Sequence, residues 1–246
     1  MTTTTYAIPT TRSPSANAIK YDALECDVYE ARIVRFIGLG VQEQRAYQGQ
    51  AKDPAFKCSV QFELIGVDAT GTKADGTAIE PRPACVFQDY FLFPGAKRGG
   101  VFDLCSAVDP SIVAAPRDLN WFINNLGAPI MVQVGSYQTR DGVTKNTVSA
   151  VQPMSSRTAA RLDAARSDFV GFIPYADDEA NAASYEKMFK FQRDMLMDAK
   201  DVAHIPYAGR EVIFNKEGSA PTAPRVQPQA TAPQQGGVDF DDDVPF

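Results

Sequence analysis

Aromatic and basic side chains stand close together in two polar stretches of the chain, 41–55 and 137–142. The residues concerned are Arg45, Tyr47 and Lys52 in the first stretch and Tyr137, Arg140 and, just beyond it, Lys145 in the second. A flat ring can stack on a base, and a cation can neutralise a phosphate. This combination therefore indicates a surface that binds an unpaired polynucleotide without reading its sequence.

Further candidates lie in or beside runs of alternating apolar residues, which are typical of strands. They are Arg35, Lys57, Tyr90, Phe91, Lys97 and Arg98. Neighbouring residues of a strand face opposite ways, so one of Tyr90 and Phe91 is expected in the core and the other on the binding surface. We expect the set as a whole, rather than any single lysine, to bind the ligand.

The sequence holds few residues suited to catalysis. His204 is the one histidine in 246 residues, which removes Ser/His/Asp triads, Cys/His pairs and multi-histidine metal sites. The four cysteines are widely spaced, with no C-x-x-C, and we expect small buried side chains in a reducing cytoplasm. We therefore expect a protein that is not an enzyme, with no catalytic residues, no metal and no cofactor.

These candidates need a scaffold, and the pattern predicts five strands with one helix among them. The predicted strands cover 26–39, 56–64, 84–93, 129–137 and 143–151, with 41–55 and 66–83 as loops. Residues 117–126 follow Pro116 and end before Gly127, as a helix does, and an Asp-Gly turn joins the last two strands. This order is typical of an OB-fold, a Greek-key barrel of five strands; a small β-sandwich with one helix is the alternative.

The pattern becomes helical from 155 to 216. Ser155 or Ser156 can cap a short helix, and 177–179 supplies acidic first-turn residues for a longer helix that runs to about 203. The longer helix carries a stripe at helical spacing, made of Tyr185, Met188, Phe189, Gln192, Met195, Leu196, Ala199 and Val202. We expect the stripe to pack on its own domain, and docking or self-association is the alternative.

The last thirty residues indicate a tether that ends in an acidic tip. Residues 217–237 are rich in proline, glycine and glutamine and cannot bury a core, so we expect disorder. The tip, 238–246, contains Asp239, Phe240, Asp241, Asp242, Asp243, Pro245 and Phe246. A solubilising tail does not need two phenylalanines, and the spacing fails the calcium-loop template. The pattern favours a linear motif whose terminal phenylalanine and carboxylates bind a partner protein.

The tip resembles, almost letter for letter, the acidic tip of bacterial and phage single-stranded DNA-binding proteins, and the tether resembles theirs. In that family an OB-fold holds the DNA, and the tip recruits replication, recombination and repair enzymes. The resemblance implies sequence-independent binding and protection of single-stranded DNA, with those enzymes as partners through the tip. The helical segment departs from the bacterial layout, which puts the usual homotetramer in doubt and favours a phage-type variant.

Five segments follow from these patterns. They are a flexible N-terminal arm (1–19), a DNA-binding OB-fold (20–154), a helical extension (155–216), the tether (217–237) and the tip (238–246). No apolar run is long enough to cross a membrane and no signal peptide is visible. We therefore expect a cytoplasmic protein with no membrane partner, in the host cell if a phage encodes it.

The net charge of −6 argues against a generally cationic protein that coats nucleic acid. Binding of DNA then requires that the basic groups cluster on one face, because charges beyond about 10 Å are screened at ordinary salt. Two other classes stay open on the sequence alone. One is a metal-dependent nuclease that uses scattered carboxylates, and the other is a scaffold or assembly protein with an acidic docking tail.

Overall fold

A computed structural model describes residues 19–139 and 142–210 of the chain. The strands are β1 (Ile19–Tyr21), β2 (Val28–Tyr47), β3 (Gln50–Ala69), β4 (Gly71–Lys73), β5 (Arg82–Leu92), β6 (Pro129–Gln138), β7 (Thr144–Pro153) and β8 (Val170–Phe172). The helices are α1 (Gly100–Val108), α2 (Asn120–Asn124), α3 (Ser156–Ala159), α4 (Glu179–Glu186) and α5 (Lys190–Met197), with a 3₁₀ turn at Val202–His204. The described part is mainly β, as the sequence pattern predicts.

One largely antiparallel sheet forms most of the molecule. Its hydrogen-bonded order is β5–β3–β2–β6–β7, and β8 adds a parallel sixth strand beside β2. A separate two-stranded sheet pairs β1 with β4. No ladder within the described residues joins β5 to β7, although Cα atoms of these strands come within 8 Å of each other. The predicted five-stranded barrel is therefore not confirmed, because the sheet has six strands and is not closed.

The first core lies on the inner face of this sheet and depends on the alternation predicted for 56–64. Cys58, Val60, Phe62 and Leu64 are all buried, while the residues between them face the other way. They pack with inward residues of β2, β5 and β6. The period-2 pattern therefore predicts this face of the strand correctly.

Two short helices cover this core between β5 and β6. Helix α1 was not predicted from the sequence; it buries Val101, Leu104, Cys105 and Ala107. The helix predicted over 117–126 is shortened to α2, because Asp118 Oδ1 accepts the N–H of Asn120 (2.9 Å) where the helix begins. Gly127 follows with φ +87°, the left-handed conformation expected of a glycine after a helix.

A second core packs against the later half of β2. Ile37 and Leu39 contact β8, α4 and α5 there, and none of these partners lies in the first core. The stripe residues Tyr185, Met188, Gln192, Leu196 and Ala199 are buried in this part of the chain. The expectation that the stripe packs within the chain is confirmed for these five residues, whereas Phe189, another member of the stripe, is 39% exposed.

The single long helix predicted to end near 203 is wrong. The chain extends at Phe189 (ψ 152°), and the Phe189 N–H donates to Gln192 Oε1 (3.1 Å), so that α4 and α5 are separate helices. The predicted cap at Ser155 is confirmed, because its Oγ accepts the N–H of Thr158 (3.2 Å). Of the acidic residues 177–179 predicted in the first turn, Glu179 lies there, whereas Asp178 is the N-cap of α4 and its Oδ1 accepts the N–H of Asn181 (2.8 Å). Within 19–139 and 142–210, none of the helices has the length and apolar character needed to cross a membrane.

The strand β2 changes its partner partway along its length. Residues 28–32 pair with β6, residues 35–37 pair with β8, and a register shift lies between Ile33 and Arg35. On its other edge, β2 pairs with β3 along most of its length. One strand therefore contributes to both cores.

The ends of β2 and β3 form a long exposed hairpin, which we call the β2–β3 arm (residues 41–55). The sequence analysis predicts a loop here, and this is wrong, because both strands continue to a turn at Gln48 and Gly49. These two residues have φ values of 51° and 78°. Positive φ at both central residues is the hallmark of a two-residue type I′ hairpin turn.

Replacing Gly38 with alanine should destabilise the fold. A Cβ at Gly38 would lie 2.5 Å from Pro174 Cδ and 3.0 Å from Phe56 Cζ. We expect the free energy of unfolding, measured by urea denaturation, to fall by about 1–3 kcal/mol. Gly135→Ala is the matched control in strand β6, because its Cβ would meet nothing closer than 3.5 Å. Equal stability of the two variants would contradict the close packing of Pro174 on β2.

Candidate nucleic-acid interface

The outward side chains of β3 and β5 form a partly exposed surface, which we call the outer β3–β5 face. Its members are Lys57, Gln61, Phe87, Asp89 and Phe91. The ladder pairs Lys57 with Phe91 and Gln61 with Phe87. Each ring of β5 therefore lies opposite a polar or cationic side chain of β3.

Lys57 sits between an aromatic ring and a carboxylate. Its Nζ lies 5.9 Å from the centroid of the Phe91 ring and 2.8 Å from Asp89 Oδ2. The lysine side chain is only 15% exposed, so its ammonium group is held close to the sheet. A phosphate that binds Lys57 must share this cation with Asp89.

Arg35 lies on β2 at the border between the outer β3–β5 face and the second core, paired with Gln61. Its Nη1 donates to the carbonyl oxygen of Lys187 (2.7 Å), and its guanidinium carbon lies 4.4 Å from the centroid of the Phe189 ring. The Nε atom is buried and has no hydrogen-bond partner among the described residues. Burial lowers the pKa of Arg35, but an arginine side chain stays charged in proteins.

A buried carboxylate fixes the loop beside Arg35. Glu63 is 1% exposed, and its two carboxylate oxygens accept the backbone N–H groups of Arg166 and Ser167, each at 2.7 Å. This holds residues 166–168 against β3, where Ser167 Oγ lies 3.9 Å from Cys85 Sγ. Burial raises the pKa of the Cys85 thiol.

The three candidates predicted in the first polar stretch lie on the β2–β3 arm. Tyr47 is 48% exposed, and Lys52 Nζ lies 5.1 Å from the centroid of its ring. Arg45 is also exposed on this arm. The arm therefore presents a ring and cations to solvent, although from strands rather than from the predicted loop.

The strand β5 separates its two aromatic candidates as alternation requires. Tyr90 is 9% exposed and belongs to the first core, where burial raises the pKa of its hydroxyl. Its ring cannot stack on a base, so the selection of Tyr90 as a binding residue is corrected. Phe91 lies on the outer β3–β5 face. Lys97 and Arg98 are exposed in the turn between β5 and α1.

The second polar stretch lies far from the β2–β3 arm. Tyr137 and Lys145 are a cross-strand pair near the end of β6 and the start of β7. The first residue of β2, Val28, pairs with Gln133 of β6, four residues before Tyr137. The last residues of β2 belong to the β2–β3 arm. The two polar stretches therefore lie at opposite ends of β2. Arg140, the tether and all residues selected in the tip lie outside the described residues.

Three exposed phenylalanines at this face, Phe87, Phe189 and Phe191, were not selected as binding residues from the sequence, and Phe189 was expected to pack within its own domain. Phe87 could have been found, because it lies four residues before Phe91 and alternation places both on one face of β5. No local sequence pattern places Phe189 and Phe191 on this face. They contact Phe87, which lies about a hundred residues earlier in the sequence, only through tertiary packing.

Compared with protein-family models and with curated proteins, the chain matches none of them. Across residues 19–139 and 142–210, no group of three or more histidine, cysteine, aspartate or glutamate side chains is arranged to hold a metal ion. The candidate functional site therefore consists of the rings and cations of the outer β3–β5 face, together with the rings and cations of the β2–β3 arm.

Replacing Glu63 with alanine should release the loop that this carboxylate holds. Both N–H groups lose a charged acceptor. A hydrogen bond to a charged group typically contributes about 1.5–3 kcal/mol to the stability of the folded state. This loop covers Cys85, so we expect Cys85 to react at least tenfold faster with a thiol reagent in the variant. Mass spectrometry of the labelled peptides measures the rate of this reaction.

Cys58 and Cys105 are the internal controls, because both are buried in the first core. They should stay protected if only the loop is released. Unchanged protection of Cys85 in a folded variant would show that Glu63 does not hold residues 166–168.

Proposed function

We propose that this protein binds single-stranded DNA without sequence preference, mainly through the outer β3–β5 face. The observation that carries the proposal is the placement of rings beside cations on one face. The half-buried Phe91 lies beside Lys57, and the exposed Phe87 lies in the row of Arg35. Stacking is worth about 1–3 kcal/mol per base and is tolerant of sequence, while the cations attract phosphates. Such binding needs no catalytic group and no cofactor.

The order of the strands supports the proposal. An OB-fold has five strands and binds oligonucleotides on the face of its second and third strands. If β2, β3, β5, β6 and β7 are those five, α1 and α2 fall between the third and fourth strands. The outer β3–β5 face is then the face of strands two and three. We infer a variant OB-fold that stays open between β5 and β7.

The two hairpins would extend the binding path beyond this face. The β2–β3 arm carries Tyr47 and Lys52, and the β6–β7 hairpin carries Tyr137 and Lys145. They lie at opposite ends of β2, so a strand that contacts both must cross the sheet. Loops in these two positions are those with which an OB-fold binds its ligand.

The resemblance of the tip suggests the setting in which this binding acts. We infer that residues 238–246 recruit enzymes of replication, recombination and repair to DNA that the protein protects. A terminal phenylalanine with several carboxylates suits a partner that offers an apolar pocket ringed by basic residues. The setting that fits best is phage DNA metabolism in the cytoplasm of the host cell.

Titration of the full chain with fluorescently labelled oligo(dT) at several salt concentrations tests the proposal. We expect the anisotropy of the label to report binding that weakens as salt increases. The logarithm of affinity should fall by about 0.7 per neutralised phosphate for each logarithmic unit of salt, so about three phosphates give a slope near −2.

The same titration separates the rival functions. No binding at low salt would contradict the proposal and favour a scaffold that does not bind DNA. Cleavage of the oligonucleotide only when Mg²⁺ is added would favour a nuclease. Uncleaved oligonucleotide with salt-dependent binding supports the proposed function.

Asp89→Asn should tighten the binding of oligo(dT). Removing this carboxylate frees the Lys57 ammonium for a phosphate, because the two groups are 2.8 Å apart. We expect roughly a threefold to tenfold gain in affinity at low salt. The slope of the logarithm of affinity against the logarithm of salt concentration should become more negative by about 0.7, which corresponds to one further neutralised phosphate. An increase in affinity cannot result from partial unfolding.

Glu80→Gln is the matched control for this variant. It makes the same change in net charge at an exposed residue of the segment between β4 and β5. Equal gains in the two variants would assign the effect to overall charge and exclude Lys57 from the interface.

A further inference from the structure

Three phenylalanines cluster where the outer β3–β5 face meets the start of α5. We call Phe87, Phe189 and Phe191 the phenylalanine cluster. The Phe87 ring contacts the other two edge to face, at centroid distances of 5.7 and 6.4 Å, and Phe189 stacks parallel to Phe191 at 5.8 Å. They remain 37%, 39% and 40% exposed, so the cluster forms an open aromatic surface.

The cluster is not a displaced part of the second core. Met188 and Gln192, which flank Phe189 and Phe191 in sequence, are fully buried, whereas the two rings point away over the sheet. The three rings therefore leave apolar surface exposed side by side, and such surface can mark a ligand-binding site. A surface made of three aromatic rings suits a ligand with flat apolar faces.

A cleft of about 430 Å³ opens beside the cluster. It is lined by Arg35, Gln61, Ser167, Asp168, Val170 and Lys187. Its ionic side chains are two cations and one carboxylate, with Lys187 Nζ bound to Asp168 Oδ2 at 3.0 Å. The Nε atom of Arg35 is buried and has no acceptor within the described part of the chain.

The cleft is already formed in the structure. Glu63 holds the loop that carries Ser167 and Asp168, and the carbonyl of Lys187 holds the Arg35 guanidinium. The ring of Phe189 lies under that guanidinium at 4.4 Å. A ligand therefore meets groups whose conformations are already fixed, which lowers the entropy lost on binding.

We propose that the phenylalanine cluster and this cleft bind one nucleotide of the DNA strand, so that the helical segment extends the interface of the sheet. The base stacks on the cluster, and its phosphate meets Arg35 and Lys187. This inference rests on the proposed function and deepens it. Phe87 and Phe91 are four residues apart on β5, roughly 13 Å at 3.3 Å per residue, which makes the cluster continuous with the outer β3–β5 face.

Phe191→Ala in the full chain tests the proposal with labelled oligo(dT) as the probe. Loss of one stacking ring should weaken binding about tenfold, within the range measured for base–aromatic stacking. Met197→Ala is the matched control, because Met197 is 46% exposed on the same helix but is not part of the cluster. The control should bind within about twofold of the wild type, and both variants should keep the unfolding midpoint of the wild type.

Two further measurements distinguish stacking from a structural effect. Phe191→Trp should restore affinity and add quenching of tryptophan fluorescence when oligo(dT) binds. An abasic strand of equal length keeps the phosphates without the bases, so Phe191→Ala and the wild type should bind it equally.

The outcomes separate this inference from the function on which it rests. If the wild type does not bind oligo(dT), the proposed function fails. If the wild type binds and Phe191→Ala binds equally well, the function stands and the nucleotide site is wrong. Equal weakening of binding to oligo(dT) and to the abasic strand would also overturn base stacking at the cluster.

Discussion

The structure depends on one strand, β2, that belongs to two cores at once. Before the register shift it pairs with β6 and contributes Ala31 and Ile33 to the first core; after the shift it pairs with β8 and contributes Ile37 and Leu39 to the second. Pro174 packs against the backbone at Gly38, where a side chain would not fit. The two cores therefore cannot separate without breaking one continuous strand.

This arrangement also decides which surface stays open. The second core covers the later half of β2, while the outer β3–β5 face remains partly exposed. After the buried Met188, the chain must pass the edge of the covered region, where Arg35 binds the carbonyl of Lys187. The same packing that stabilises α4 and α5 therefore places Phe189 over Arg35 and beside Phe87.

Local patterns predicted the parts of the fold that depend on neighbouring residues. The alternation of 56–64, the β6–β7 hairpin and the cap at Ser155 all follow from local patterns of residues. The helix α1 was within reach as well, since Val101, Leu104, Cys105 and Val108 have helical spacing. Neither the parallel strand β8 nor the aromatic cluster could be predicted, because each requires residues more than a hundred positions apart to meet.

The negative charge of the whole chain does not decide what one face can bind. Fields from exposed charges are screened within about 10 Å at ordinary salt, so a phosphate responds to the groups around it rather than to the total of −6. Around the outer β3–β5 face those groups include Lys57, which is largely covered and bound to Asp89, and Arg35, which packs on an aromatic ring. A cation in such surroundings attracts a phosphate more strongly than one in open water does, because the local dielectric constant is lower. In the proposed function, the fixed cations and partly exposed rings of this face, rather than the net charge of the chain, decide whether a strand binds.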